Sequence, residues 1–156
     1  MKIVVMSDTH GRIEVAQDIM AEMNEIDLLI HLGDHYEDAI FLGKYMNIKV
    51  AAVKGNCDRE EALKEIILEL ERHKLFLVHG HQYGVKMSLN KIYYKALELG
   101  CDIVLFGHTH MAVNIKHDGV LLMNPGSLSL PRDGSRASYG IIEIEGENVI
   151  SSIIEV

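Results

Sequence analysis

The sequence is short of cysteine, of positive charge and of long apolar runs, and each shortage removes a class of protein. Its two cysteines, Cys57 and Cys101, form neither a disulfide framework nor a Cys-x-x-Cys pair, so reduced thiols in a cytoplasmic protein are expected. Lys and Arg number 15 against 23 Asp and Glu, a formal net charge of −8. That balance opposes general attraction to a nucleic-acid backbone or an anionic membrane, and an anionic substrate would need locally positive charge. No apolar stretch is long enough to span a bilayer, and the chain opens on a strand-like run without a signal-peptide pattern. Linkers, low-complexity tracts and internal repeats are absent too. What remains is 48% hydrophobic and 24% charged among 156 residues. One compact domain over residues 1-156 is expected, large enough to fold without a disulfide or a structural metal. A bound metal would then serve function.

What the chain does contain is one device used five times: an apolar run that ends in candidate metal ligands. Residues 2–6 lead into Ser7-Asp8-Thr9-His10-Gly11, and 27–32 into Gly33-Asp34. Residues 48–53 lead into Gly55-Asn56-Cys57-Asp58, 75–78 into His79-Gly80-His81, and 103–106 into Gly107-His108-Thr109-His110. In extended backbone, residues i and i+2 point to one side, so Asp8 with His10, His79 with His81, and His108 with His110 are each expected to converge. Any one of these turns alone is weak evidence. Their repeated position after strand-like runs is strong evidence, because ligands in open sheets bind beyond the carboxyl ends of strands. His31 lies inside its run and reads as a core histidine. His35, next to Asp34, is either an outer partner of the site or simply exposed.

Between the runs, Ile13, Ala16, Met20 and Met23 recur at helical spacing within 12–24, and 37–46 is also helical. A short helix is expected over 59–63. Residues 66–70 and 75–78 read as strands joined by the charged turn 71–74, which places His73 in solvent. Leu89, Ile92, Tyr93, Ala96 and Leu97 make the clearest helical stripe, closed by Gly100. Later runs at 111–115, 120–123, 139–144 and 149–154 read as antiparallel strands, with His117 in a turn. The fold class is therefore α/β (α+β), with helices on the outer faces of the sheets.

In order and in type, the motifs resemble those of the calcineurin-like metallophosphoesterase family. Asp8-Thr9-His10, Gly33-Asp34, Gly55-Asn56 and Gly107-His108-Thr109-His110 match its Asp-x-His, Gly-Asp, Gly-Asn and Gly-His-x-His motifs, with His79 as the histidine between the last two. The short length and Asn124-Pro125-Gly126-Ser127 point to its small YfcE-like prokaryotic phosphodiesterase branch. The resemblance implies a four-layer sandwich, two mixed β-sheets face to face flanked by helices. It also implies two divalent ions, one on Asp8, His10 and His110, the other on Asn56, His79 and His108, with Asp34 bridging. Manganese is expected first, with nickel, iron or zinc open, since imidazole and oxygen ligands suit all of them.

The activity so implied is hydrolysis of a small phosphate ester, a phosphodiester first, by a hydroxide held between the ions, with Asp34 and Asn56 central to catalysis. Asn56, Asp58, Asn124 and Gly126 are the candidate substrate contacts. Arg12 and Arg132 are candidates for a distal phosphate or for surface ion pairs. Many relatives carry histidine after the motif asparagine, whereas this chain has Cys57. His81 then becomes the alternative acid for the leaving group, unless it only orients ligands. Two other classes stay open: a non-catalytic interaction scaffold of the same fold, and a metal-dependent nuclease. A homo-oligomer is also left open.

Overall fold

The computed structural model describes residues 1–132 and 134–156. Its elements, in chain order, are β1 (Lys2–Met6), α1 (Ile13–Ala21), β2 (Leu28–His31), α2 (Tyr36–Met46), β3 (Lys49–Ala52), β4 (Glu65–Leu70), β5 (His73–Val78), α3 (Asn90–Leu99), β6 (Ile103–Phe106), β7 (Ala112–His117), β8 (Val120–Pro125), β9 (Ser138–Glu145) and β10 (Asn148–Glu155). Two five-stranded sheets result, ordered β10-β9-β1-β2-β3 and β4-β5-β6-β8-β7. Both are mixed: β1, β2 and β3 run parallel in the first, and β5, β6 and β8 in the second.

Alternation along the central strands sets the layers. Ile3 and Val5 of β1, Leu28 and Ile30 of β2, Leu75 and Leu77 of β5, and Ile103 and Leu105 of β6 share one core between the sheets. The residues between them face outward. Val4, Met6 and Leu29 pack with Ala16 and Met20 of α1 and Leu42 of α2. Phe76, Val78, Val104 and Phe106 pack with Ile92 and Ala96 of α3. Strands apolar on both faces can be buried only between two layers, and each large side chain so buried contributes roughly 1.5–3 kcal/mol. Helix, sheet, sheet and helix are thus stacked as the resemblance implied. No helix of the described residues is long and apolar enough to cross a membrane.

Four expectations need correction. Residues 59–63 form no helix; Lys54 N bonds Leu63 O at 2.9 Å and Lys54 Nζ bonds Glu60 O at 3.0 Å, so their carbonyls are drawn sideways. The helix expected over 12–24 stops at Ala21. Strand β8 pairs antiparallel with β7 but parallel with β6, which an alternating pattern cannot reveal. His73 is half-buried rather than solvated, because its Nδ1 lies 2.5 Å from Asp102 Oδ2 at the start of β6.

His31 is fully buried, as its place in an apolar run suggested. Burial keeps its imidazole neutral, with the pKa pushed from 6.5 to about 4. Because the folded value is the lower one, acid favours the unfolded chain, and stability is lost as pH falls from the unfolded value through the folded one. The loss is on the order of 3 kcal/mol. Urea unfolding at about pH 7.5 and about pH 5 should show about 2 kcal/mol of that loss, the rest falling below pH 5, and the non-titrating His31→Gln should remove that part of the dependence. An unchanged slope in the variant would contradict the assignment.

Candidate metal centre

Because β1, β2 and β3 run parallel, as do β5 and β6, the loops after them gather at one end of each sheet. Cross-links hold these ends together. Asp8 N bonds Gly33 O and Gly107 N bonds His79 O, each at 3.0 Å, while His108 N reaches across to Asp8 Oδ2 at 3.1 Å. The turns are tight. Asp8, His10, Asp34, His35, His108 and His110 all have positive φ, between 45° and 88°, a conformation that costs a non-glycine residue ~1 kcal/mol or more. The extended i, i+2 geometry expected for Asp8 with His10 and His108 with His110 is therefore corrected: left-handed turns aim these side chains.

Asp8, His10, Asp34 and His110 come together, with one potential ligand atom from each within 4.8 Å of the others. His110 Nδ1 donates to Leu130 O at 2.7 Å. In the neutral ring that leaves a bare lone pair on Nε2, which lies 3.1 Å from Asp8 Oδ1. Two acceptors at that distance attract a cation, whether a proton or a metal ion. The buried Asp8 Oδ1 and His10 Nε2 have no hydrogen-bond partner, as expected of atoms whose partner is an ion.

A second group lies beside the first. His79 Nδ1 donates to Leu32 O at 2.7 Å, so its Nε2 also presents a lone pair, 3.2 Å from Asn56 Oδ1 and 3.5 Å from Asp34 Oδ1. The Asn56 amide nitrogen is turned away, towards Cys57 Sγ. His108 is less tightly gathered: its ring centroid is 5.1 Å from that of His79 and 6.0 Å from that of His81. Four of the seven expected ligands thus form a close group, and His79, in contact with Asn56 and beside His108, adjoins it through Asp34.

Protonation follows from these contacts. Burial opposes charge on Asp8, but His110, His79 and the Ser7 hydroxyl outweigh it and hold the carboxyl below its ordinary pKa. The adjacent Asp8 carboxylate raises His110, which favours a proton on that ring that a metal ion would have to displace. Desolvation, followed by the charges of His79 and Lys86, lowers His108 to about 4. Burial likewise lowers His10 and His81. A deprotonated imidazole is the form that ligates a metal.

Several candidate contacts turn out to be braces. Asp58 accepts the backbone N–H groups of Asp34, His35, Tyr36 and Gly55 at 2.7–2.9 Å. Burial works against its charge, but these four amides prevail and depress its pKa. As an ionised acceptor it ties the Asp34 loop to the Asn56 loop. Asn124 is fully buried and donates to Gly107 O and Thr109 Oγ1 at 2.9 and 3.0 Å. Its Oδ1 takes the Gly126 amide at 2.9 Å. The Asp58 oxygens, the Asn124 amide and the Gly126 N–H are thus already bonded within the protein, and a substrate contact at any of them would compete with these bonds. Ser127 and Ser129 both donate to Asp8 O. Sequence reasoning named Ser127 only as part of Asn124-Pro125-Gly126-Ser127, and missed Ser129 and the part played by Ser7, whose Oγ bonds Asp8 Oδ2 at 2.5 Å; the signal for both is proximity to a motif. Burial and the Asp34 carboxylate push the Cys57 thiol up to about 11, unlike an acid or a thiolate ligand.

Comparison with known proteins agrees with this geometry. Residues 1–147 match the profile of the calcineurin-like phosphoesterase superfamily domain. Over 151 residues the chain is 39% identical to the probable metallophosphoesterase YsnB of Bacillus subtilis, covering 94% of this chain and 86% of that one. The phosphodiesterase YfcE of Escherichia coli is 29% identical, with coverages of 97% and 92%. Among solved structures, Vps29 of Entamoeba histolytica superposes with a TM-score of 0.82 at 22% identity, covering 100% of this chain and 99% of that one. At that identity the likeness is one of fold.

Close backbone approach gives a direct test of this packing. A Cβ at Gly55 would overlap Asp34 Oδ1 and N, so Gly55→Ala must displace the carboxylate shared by the two groups. The variant should bind Mn²⁺ at least ~10-fold more weakly than wild type by calorimetry, a displacement of the kind that costs metal sites 10- to 100-fold. Wild-type affinity would mean that Asp34 is not held where these contacts place it.

Proposed function

Because the chain belongs to the calcineurin-like phosphoesterase superfamily, we propose that it is a phosphodiesterase working with two divalent ions on small phosphate esters. The observation that carries this reading is a group of acceptor atoms brought together: Asp8 Oδ1 and His10 Nε2 are buried without a partner, within the close group that also holds Asp34 and His110, and His79 Nε2 lies 3.5 Å from Asp34 Oδ1. Asp8, His10 and His110 would hold one ion and Asn56, His79 and His108 the other, with Asp34 between. Imidazole with oxygen and no thiolate suits manganese, our first expectation, and equally nickel, iron or zinc. Two such ions supply Lewis acidity and a nucleophile drawn from water at neutral pH.

The chain's own residues account for the rest. Two carboxylates facing two dications leave the centre at about +2, which reconciles an acidic protein with an anionic substrate. Lys86 acts on His108 and Arg132 on His110, adding positive charge at the rim. His81 is the remaining candidate for the leaving-group proton. Burial lowers its pKa, so most of it is neutral near pH 7 and a poor donor. Good leaving groups and diesters are favoured for that reason over alkyl monoesters. The name of the YfcE relative supports the same preference.

A scaffold reading draws on the Vps29 likeness, which concerns fold alone; the complete ligand set argues against it. A nuclease would need a basic groove that a chain of net charge −8 does not supply.

Hydrolysis of bis(4-nitrophenyl) phosphate should require Mn²⁺ or a related ion, stop with chelator, and fall to background in His108→Ala and Asn56→Ala while both variants remain folded by circular dichroism. His81→Ala should slow esters with poor leaving groups more than aryl esters. No turnover of any mono- or diester with any of the four metals would favour the scaffold.

A further inference from the structure

Thr9 lies between the ligands Asp8 and His10 and is fully buried. It offers nothing to a metal, yet its surroundings fix the direction of every hydrogen bond it makes. Gly33 N donates to His31 Nδ1 at 3.2 Å, which leaves the His31 proton on Nε2, 3.1 Å from Thr9 Oγ1. Having accepted there, the Thr9 hydroxyl donates to Asp38 Oδ2 at 2.6 Å. The Gly11 amide reaches the same oxygen at 2.9 Å. Asp38 belongs to the first turn of α2 and is buried, as is His31. One carboxylate thus grips the turn both between its two ligands and just beyond them. Asp8, His10 and Gly11 in that turn have φ of 53°, 45° and 79°.

We propose that the buried His31–Thr9–Asp38 chain positions Asp8 and His10, so that the Thr9 hydroxyl governs metal affinity without touching the ion. Left-handed residues do not hold themselves: each costs ~1 kcal/mol or more unless its surroundings impose it. Releasing the turn from Asp38 lowers the fraction of molecules in which Asp8 and His10 face one point, and apparent affinity falls with that fraction. Asp38 also lies 3.9 Å from His35 Nδ1, and the His35 ring stands edge-on to that of His10 at 5.5 Å. The same carboxylate therefore touches the support of His10 from a second side. Thr9, His31 and Asp38 are positioning residues.

This inference rests on the metal-binding reading of the site, and its test measures metal uptake rather than hydrolysis. Metal-free protein is titrated with Mn²⁺ by calorimetry in wild type, Thr9→Val, Thr9→Ser and Asp38→Ala, with circular dichroism and a melting curve on each metal-free variant. Thr9→Val keeps the shape and removes the hydroxyl, and should bind about 10- to 100-fold more weakly, the range seen when outer partners of metal ligands are removed. Asp38→Ala should weaken binding similarly, while Thr9→Ser, which restores the hydroxyl, should stay within ~3-fold of wild type. Wild-type affinity in a folded Thr9→Val or Asp38→Ala protein overturns the proposal, as does a Thr9→Ser protein as weak as Thr9→Val. A wild-type chain that takes up no Mn²⁺ overturns the metal-centre reading itself.

Discussion

Two imidazole protons decide what the centre can hold. The carbonyls of Leu32 and Leu130 take the Nδ1 protons of His79 and His110, and each Nε2 is thereby left as a lone pair facing other acceptors. If the tautomers were reversed, the same rings would donate to Asp34, Asn56 and Asp8, and a cation would have to displace those protons before it could bind. Backbone partners on the far side of a ligating histidine are a general way of aiming it. Here they come from the ends of two different loops, one from each sheet, so the face-to-face packing of the sheets is what makes the site.

The protein holds this arrangement with carboxylates that are not ligands. Asp58 collects four amides from the Asp34 and Asn56 loops, and Asp38 collects Thr9 and Gly11. Both attach to α2, Asp58 by receiving amides at its entry and Asp38 from its first turn. Glycine does the complementary work where the loops approach too closely for a side chain: at Gly55 against Asp34, and at Gly107 against Ser7 and Asp8. Six left-handed non-glycine residues in the ligand turns would be poorly explained as packing defects; they are what these clamps impose.

Much of this is written locally in the chain, and some is not. The five ligand turns are legible because each ends an apolar run, and the unbroken apolar character of those runs marks them as buried on both faces, though not which side chains meet the opposite sheet. The brace roles of Asp58, Asn124, Ser127 and Ser129 are not legible. A carboxylate that receives backbone amides, or a hydroxyl bonded to a distant carbonyl, has no spacing signature and depends on loops about 20 to more than 100 residues apart meeting in space. The burial of His73 is hidden for the same reason, since its partner Asp102 lies 29 positions away. The residues 59–63 fail as a helix because Lys54 captures their carbonyls, a contact that helical propensity does not include.

In the proposed function, Asp34 stands between two ion sites of unlike composition. Anomalous diffraction at the manganese edge, from crystals grown with Mn²⁺, tests it most directly. It should give two peaks per chain about 3.5 to 4 Å apart, the usual two-metal spacing, one on each side of the Asp34 carboxylate. One peak alone at Asp8, His10 and His110, or none in this region, would contradict it.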